Sequence, residues 1–336
     1  MDKIKKIAVI LLGPLGDMIN ATGVFRALKD NYKDSELTLV TVKDGIAATE
    51  GIPDIDKVII FDKKRGLKGG FEFFKFSREI GKNNFDMIVV LDNTFRTAIM
   101  ALVMGAKYRV GRDYEGQGFL FTHKIPYLEE EKDMQIHVSE HYMRILKPLG
   151  LYNPKHETEF HYTKEDEAKV CGLFEQEGIS NKKLIGFTPS CFADSKSWNP
   201  NQAAKFVELV KTNTDYEIVI VGASNIQPFV DEMKGIYSNF VDMTGKTSFT
   251  QSGCLIDKCE KFVSIDSSPQ HLALAFKTPV LALFFTTIFK KWGPKDLSHN
   301  KVLYSSVQSL IAPEEVFQEL QKLPEKSSLK ELSLSK

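Results

Sequence analysis

The first residues able to do chemistry stand directly after an apolar run, Ile7–Leu12, in the order Gly13-Pro-Leu-Gly-Asp17. A glycine turn and an acid at the carboxyl end of a strand lie where open α/β sheets bind ligands. Asp17 near a helix start has two readings, a capping residue and a general base. In the second, the helix field keeps the carboxylate ionised and the flanking glycines let a hydroxyl-bearing acceptor approach. The spacing is not Gly-x-Gly-x-x-Gly, and Pro14 removes a backbone donor, so the loop is a poor phosphate cradle and a dinucleotide is not expected there.

The second set lies in the C-terminal half. A strand at 261–265 ends in Asp266-Ser-Ser-Pro-Gln-His271, where Pro269 fits the first turn of a helix. Free N–H groups of Ser267 and Ser268 would favour a bound diphosphate, with His271 adding a hydrogen bond or charge. Asp266 would repel that diphosphate if it pointed inward, so it is expected to fix the loop or bind a ribose or sugar hydroxyl. Lys196, beside Trp198 in the loop after 184–188, can neutralise a leaving nucleoside diphosphate. The stretch 241–249, which carries Lys246 and Thr247, is a further loop at the same sheet edge, placed to contact a nucleoside.

These loops need strands to hold them. Apolar runs at 7–12, 37–42, 58–61 and 87–91 alternate with amphipathic stretches, including a helix expected over 18–29, and the pattern restarts at 184–188, 218–222, 262–265 and 280–284. Such alternation is the mark of βαβ units and parallel sheets. The chain therefore divides into Rossmann-like domains at 1–160 and 161–322, followed at 323–336 by a stretch rich in Ser, Lys and Glu that leaves room for one short helix and otherwise reads as a flexible tail.

Gly16-Asp17 with Ala21-Thr22 and Leu28, Lys196-x-Trp198-x-Pro200, Thr244-Gly-Lys246-Thr247-Ser248, Asp266-Ser-Ser-Pro-Gln-His271, Thr278-Pro-Val-Leu-Ala-Leu-Phe and Lys291-Trp-Gly-Pro294 occur in this order. Together they resemble the glycosyltransferase family 9 heptosyltransferases over residues 5–320. The resemblance implies a GT-B fold, two Rossmann-like domains facing a cleft, and inverting, metal-independent transfer from ADP-heptose to a lipopolysaccharide inner-core acceptor. It assigns Asp17 as base, Lys196 to the diphosphate, Ser267, Ser268 and His271 to the nucleotide, and Lys246 and Thr247 to the adenosine. No cofactor is implied, since the nucleotide-sugar is itself a substrate. Ser268 stands where the family usually has glycine, and Phe284-Phe-Thr-Thr287 replaces its Leu-Phe-Gly-Pro-Thr ending. A same-fold transferase or epimerase using another nucleotide-sugar, and a non-catalytic nucleotide-sugar-binding protein, are the alternatives.

Lys and Arg together number 44, as do Asp and Glu, so no global field recruits nucleic acid. The start of the chain lacks a signal-peptide pattern and no run is long enough to span a bilayer, which points to the cytoplasm. The segment 63–82 carries seven bases against two acids, interleaved with four phenylalanines. Lys63, Lys64, Arg65 and Lys68 are accordingly assigned to an anionic glycolipid acceptor, met peripherally at the inner face of the cytoplasmic membrane. Cys171, Cys191, Cys254 and Cys259 lack metal or redox spacing and read as packing residues. Asp54-Ile-Asp56 precedes a strand instead of ending one, and His137-Val-Ser-Glu-His141 lacks a third ligand, so no metal site is expected.

Overall fold

The computed structural model describes residues 3–62, 70–132 and 135–334, with 131–132 and 332–334 as backbone only. Lys63, Lys64, Arg65 and Lys68 thus lie outside the described residues. The chain forms two compact units, Met1–Glu159 and Phe160–Lys336.

The first unit holds β1 (Lys6–Ile10), β2 (Glu36–Thr41), β3 (Lys57–Ile60), β4 (Met87–Val90), β5 (Tyr108–Asp113) and β6 (His123–Pro126). They make one sheet in the order β3-β2-β1-β4-β5-β6, parallel at every pairing. The second unit repeats this plan with β7 (Leu184–Thr188), β8 (Glu217–Ile220), β9 (Val241–Asp242), β10 (Lys261–Ile265), β11 (Val280–Phe284) and β12 (Lys301–Tyr304). Its order is β12-β11-β10-β7-β8-β9, again parallel throughout. In each sheet successive connections run outward in opposite directions from one pair of central strands, β1 and β4 in the first unit, β7 and β10 in the second. At such a reversal the loops leaving the two strands part, and the space between them receives ligand.

Central strands are buried along their whole length, as Met87–Val90 and Val280–Phe284 are, because helices cover both faces. The first core gathers Ala8, Ile10, Val40, Ile88, Val90, Phe61 and Phe73. The second gathers Phe187, Trp198, Phe206, Val263 and Leu281, with the Phe187 and Phe206 rings 5.2 Å apart. Helices start where capping chemistry directs. Thr163 and Asp166 form a reciprocal capping box for Lys164–Gln176, Ser248 and Gln251 do so for Phe249–Asp257, and Asn199 followed by Pro200 opens Pro200–Asn213.

Two expectations are corrected. The helix placed over 18–29 is two helices, Leu15–Asn20 and Thr22–Asn31. At the break, Asn20 Nδ2 donates to the Gly16 carbonyl and Thr22 Oγ1 to that of Ile19, side-chain bonds that compete with helix continuation. The short helix allowed for in 323–336 is Lys326–Leu334, and its first residue is anchored where a loose tail was expected. Lys326 is 5% exposed, and its Nζ donates to Asp257 Oδ1 at 2.6 Å, the Asp257 carbonyl at 2.8 Å and Thr278 Oγ1 at 2.9 Å. A polar composition hides this anchor, because it is a buried ammonium satisfied by oxygen and not an apolar plug.

Candidate functional site

In the first unit Asp17 falls in the first turn of Leu15–Asn20, beside the β1/β4 reversal. The loop after β4 is tied in when Leu12 N–H donates to Asp92 Oδ2 at 2.7 Å. Asp17 is 8% exposed, and the Tyr142 hydroxyl donates to its Oδ1 at 2.8 Å. Burial first, then the charges of Asp17 and Asp92, hold the Tyr142 phenol well above its usual pKa, so it remains a donor. Gly13 makes room for this acid: a β-carbon there would lie 2.5 Å from Asp17 Oδ2.

Tyr142 belongs to the helix Val138–Arg144, whose sequence reads as a core stripe. Nothing in its spacing announces a bond to a residue 125 positions earlier. The neighbouring histidines also find structural work. His137 Nδ1 accepts from Ser139 N–H as the helix cap. His141 packs on Arg112, a guanidinium only 1% exposed, which donates to the His141 carbonyl at 2.5 Å. Glu140 accepts from Arg144 and from Tyr152, both at 2.7 Å. Asp54 pairs with Arg26, and Asp56 accepts from Lys29 and from Leu37 N–H. Among the described residues, no cluster of three His, Cys, Asp or Glu suits a metal, and no helix is long and apolar enough to cross a membrane.

In the second unit the loops after β7 and β10 bring Lys196 and Asp266 together, with Nζ 2.7 Å from Oδ2. The Lys196 loop is closed on itself by Trp198 N–H on the Pro189 carbonyl at 2.9 Å and by the Ser190 and Ser197 hydroxyls at 3.0 Å. Trp198 is buried and anchors the loop in the core, its indole N–H reaching the Ile311 carbonyl at 3.3 Å. Asp266 is 7% exposed. It therefore organises a cation.

Ser267 precedes the helix Ser268–Ala275, and its side chain makes no capping bond; its hydroxyl meets Ser264 Oγ at 3.0 Å. The first-turn N–H groups are thus not capped by that side chain. His271 lies in this turn, 5% exposed. Burial pushes its imidazole down, Asp266 partly restores it and Lys196 lowers it again, leaving a pKa of about 4. Beside Asp266 and Lys196 alone, the imidazole is neutral at neutral pH.

Lys246 and Thr247 stand on the loop after β9, two strands from β7. Lys246 pairs with Glu177 at 2.8 Å, and Thr247 Oγ1 meets Ser252 Oγ at 2.7 Å. Gly245 adopts φ 68°, and its N–H donates to the Gly222 carbonyl at 2.9 Å, fastening this loop to the one after β8. Asp242, unremarked in the sequence, builds the turn. Burial pushes its carboxyl up, but bonds from Gln227, Lys234 and Thr244 bring it to about 2. A hollow of about 570 Å³ elsewhere in this unit is lined by Leu184, Glu260 and Lys326, at the opposite, amino-terminal edge of the sheet, away from all these groups.

The model of the family described as glycosyltransferase family 9 (heptosyltransferase) matches residues 73–322. Lipopolysaccharide heptosyltransferase 3 of Escherichia coli K12 is 25% identical over 292 residues, covering 83% of this chain and 82% of that one. The structure of E. coli ADP-heptose lipopolysaccharide heptosyltransferase II superposes with a TM-score of 0.76 at 20% identity, covering 94% and 97% of the two chains. A family 9 glycosyl transferase from Veillonella parvula gives a TM-score of 0.78 at 20% identity, covering 97% and 92%.

Proposed function

The chain belongs to glycosyltransferase family 9, and from that premise we propose that it transfers a heptose, with inversion, from ADP-heptose to a lipopolysaccharide inner-core acceptor. The names of its relatives support the sugar and the acceptor class. The observation that carries the chemistry is the Lys196–Asp266 pair beside the start of Ser268–Ala275.

In this reading the donor diphosphate lies against the N–H groups of Ser267 and Ser268, with Lys196 held on it by Asp266. The loop of Lys246 and Thr247 flanks the adenosine. The acceptor hydroxyl attacks the anomeric carbon, the bond from that carbon to the diphosphate oxygen breaks, and its electron pair leaves with ADP. Positive charge from Lys196 and the helix start stabilises that leaving group as it forms. The acceptor proton passes to Asp17. Tyr142 holds that carboxylate in place through Oδ1. A carboxylate that already accepts a hydrogen bond is a weak base, and it suffices because the hydroxyl becomes acidic only as the new C–O bond forms. This leaves no task for a metal. Lys63, Lys64, Arg65 and Lys68 are assigned to the anionic acceptor at the cytoplasmic face of the membrane.

The test is transfer from ADP-heptose to a delipidated inner-core oligosaccharide, followed by mass spectrometry and ADP release. Asp17→Ala should abolish transfer while ADP binding by calorimetry survives. Isomerised donor or free heptose without acceptor would defeat the transferase reading. A thermal-shift panel of ADP- and UDP-sugars decides the donor, since only a ligand bound to the folded state raises the transition.

A further inference from the structure

The helix Gly70–Gly81 in the first unit buries one face and leaves an unusual one in solvent. Phe73, Ser77 and Ile80 face the core. At about 100° per residue, the direction opposite to them is taken by Phe71, Lys75 and Arg78, with Lys82 just past the helix end on the same line and Phe74 on the flank between this stripe and the core. All five are exposed, Phe71 at 77% and Phe74 at 49%. The exposed acids Glu72 and Glu79 fall together on one flank of this stripe and leave its centre to aromatic and basic side chains.

The flank that carries Phe74 packs toward the neighbouring helix Phe95–Met104. Phe74 contacts the Phe73 ring, with centroids 5.8 Å apart, and Arg96 lies over Phe73 at 5.0 Å. Adjacent to Arg96 in the chain, Phe95 is 53% exposed and pairs at 6.5 Å with Phe119, itself 73% exposed. Four phenylalanines held this far out of the core on two packed helices and the segment beside them forgo the burial that normally stabilises them, and exposed aromatic side chains in this number mark an interaction site.

We infer that the face formed by Phe71, Phe74, Phe95 and Phe119, with Lys75 and Arg78, docks on the surface of an anionic lipid bilayer. Aromatic rings set beside lysine and arginine match the boundary between acyl chains and acidic headgroups, where rings partition and bases meet phosphate. A protein partner would call for shape complementarity, whereas a loosely spaced row of rings and bases suits a fluid surface. The inference rests on the glycolipid acceptor proposed above, which would be presented by such a surface.

The experiment is flotation of the full chain with vesicles of phosphatidylethanolamine and phosphatidylglycerol, and separately of phosphatidylcholine. The wild type should float with the anionic vesicles and stay behind with the neutral ones. Phe71→Ser with Phe74→Ser, and independently Lys75→Glu with Arg78→Glu, should each weaken partitioning by roughly tenfold or more. Both pairs should keep wild-type turnover on the delipidated acceptor. Undiminished partitioning in both pairs, or a wild type indifferent to lipid charge, overturns the inference. So does a wild-type dimer in sedimentation velocity that the serine pair converts to monomer, since the face then joins two copies. Charge-dependent flotation without turnover on any acceptor would leave the surface standing and remove the proposed reaction instead.

Discussion

The Tyr142 hydroxyl lies 2.8 Å from Asp17 Oδ1 and donates to it, joining the helix Val138–Arg144 to the loop after the first strand. A hydrogen bond to the ionised carboxylate favours that form. Tyr142→Phe removes it, so the acidic limb of the pH dependence of kcat/KM should move to higher pH, with kcat lowered about 3- to 30-fold. A merely structural tyrosine would change stability and leave the limb where it was. Steady-state rates across pH, beside a melting curve, separate the two.

Lys196 and Asp266 should behave as a unit. Lys196→Ala is expected to lower kcat by about 10²- to 10³-fold, the usual loss when a preorganised charge on a leaving group is removed. Asp266→Asn should cost less, because Lys196 persists without its support. The double variant should resemble Lys196→Ala alone, as coupled neighbours are not additive. Losses that multiply independently would show that Asp266 acts on something other than this lysine.

His271 makes acid costly. Its folded pKa of about 4 lies below the ordinary 6.5, so the unfolded chain takes up the proton first as pH falls. The associated stability is complete above about 6.5 and drains away down through about 4, with a ceiling on the order of 3 kcal/mol. Urea titrations of wild type and His271→Gln should converge in this window, the variant showing the flatter pH dependence. Parallel curves would mean that His271 does not carry the effect.

Lys326→Ala should destabilise by about 1–3 kcal/mol, since it leaves a half-buried carboxylate without its cation and removes a buried side chain. Asp257 retains only the Tyr162 hydroxyl, at 2.7 Å, of the two side-chain donors described on it. A lower urea midpoint with unchanged slope would report that loss without a change of folding unit. A midpoint within error of wild type would mean that the helix Lys326–Leu334 adds nothing to the fold.

What could be read from the sequence follows burial and locality. The central strands announce themselves because both faces are covered, so Met87–Val90 and Val280–Phe284 are unbroken apolar runs. Of the strands toward the sheet edges only Lys57–Ile60 shows as an apolar run: Tyr108–Asp113 carries two arginines and an aspartate, Lys301–Tyr304 is largely exposed, and Val241–Asp242 is two residues long. The candidates Asp17 and Lys196 are visible because each follows closely on a recognisable strand, Asp17 in the first turn of a helix and Lys196 in a loop. Tyr142 and Asp242 are not, because their partners are fixed by tertiary packing and polar turn geometry. The anchoring of the helix at 326–334 is hidden for the same reason, its hold on the fold being one lysine and three oxygens.

The common strand order of the two sheets has a consequence for how such a protein can change. Each reversal is framed by its own pair of loops, those after β1 and β4 in one unit and those after β7 and β10 in the other. A substitution in one pair leaves the scaffold of the other untouched. On the division of substrates proposed above, preference for one substrate can drift, or be engineered by loop exchange, while preference for the other is inherited, so that new pairings of donor and acceptor would arise by recombining halves instead of rebuilding a whole site.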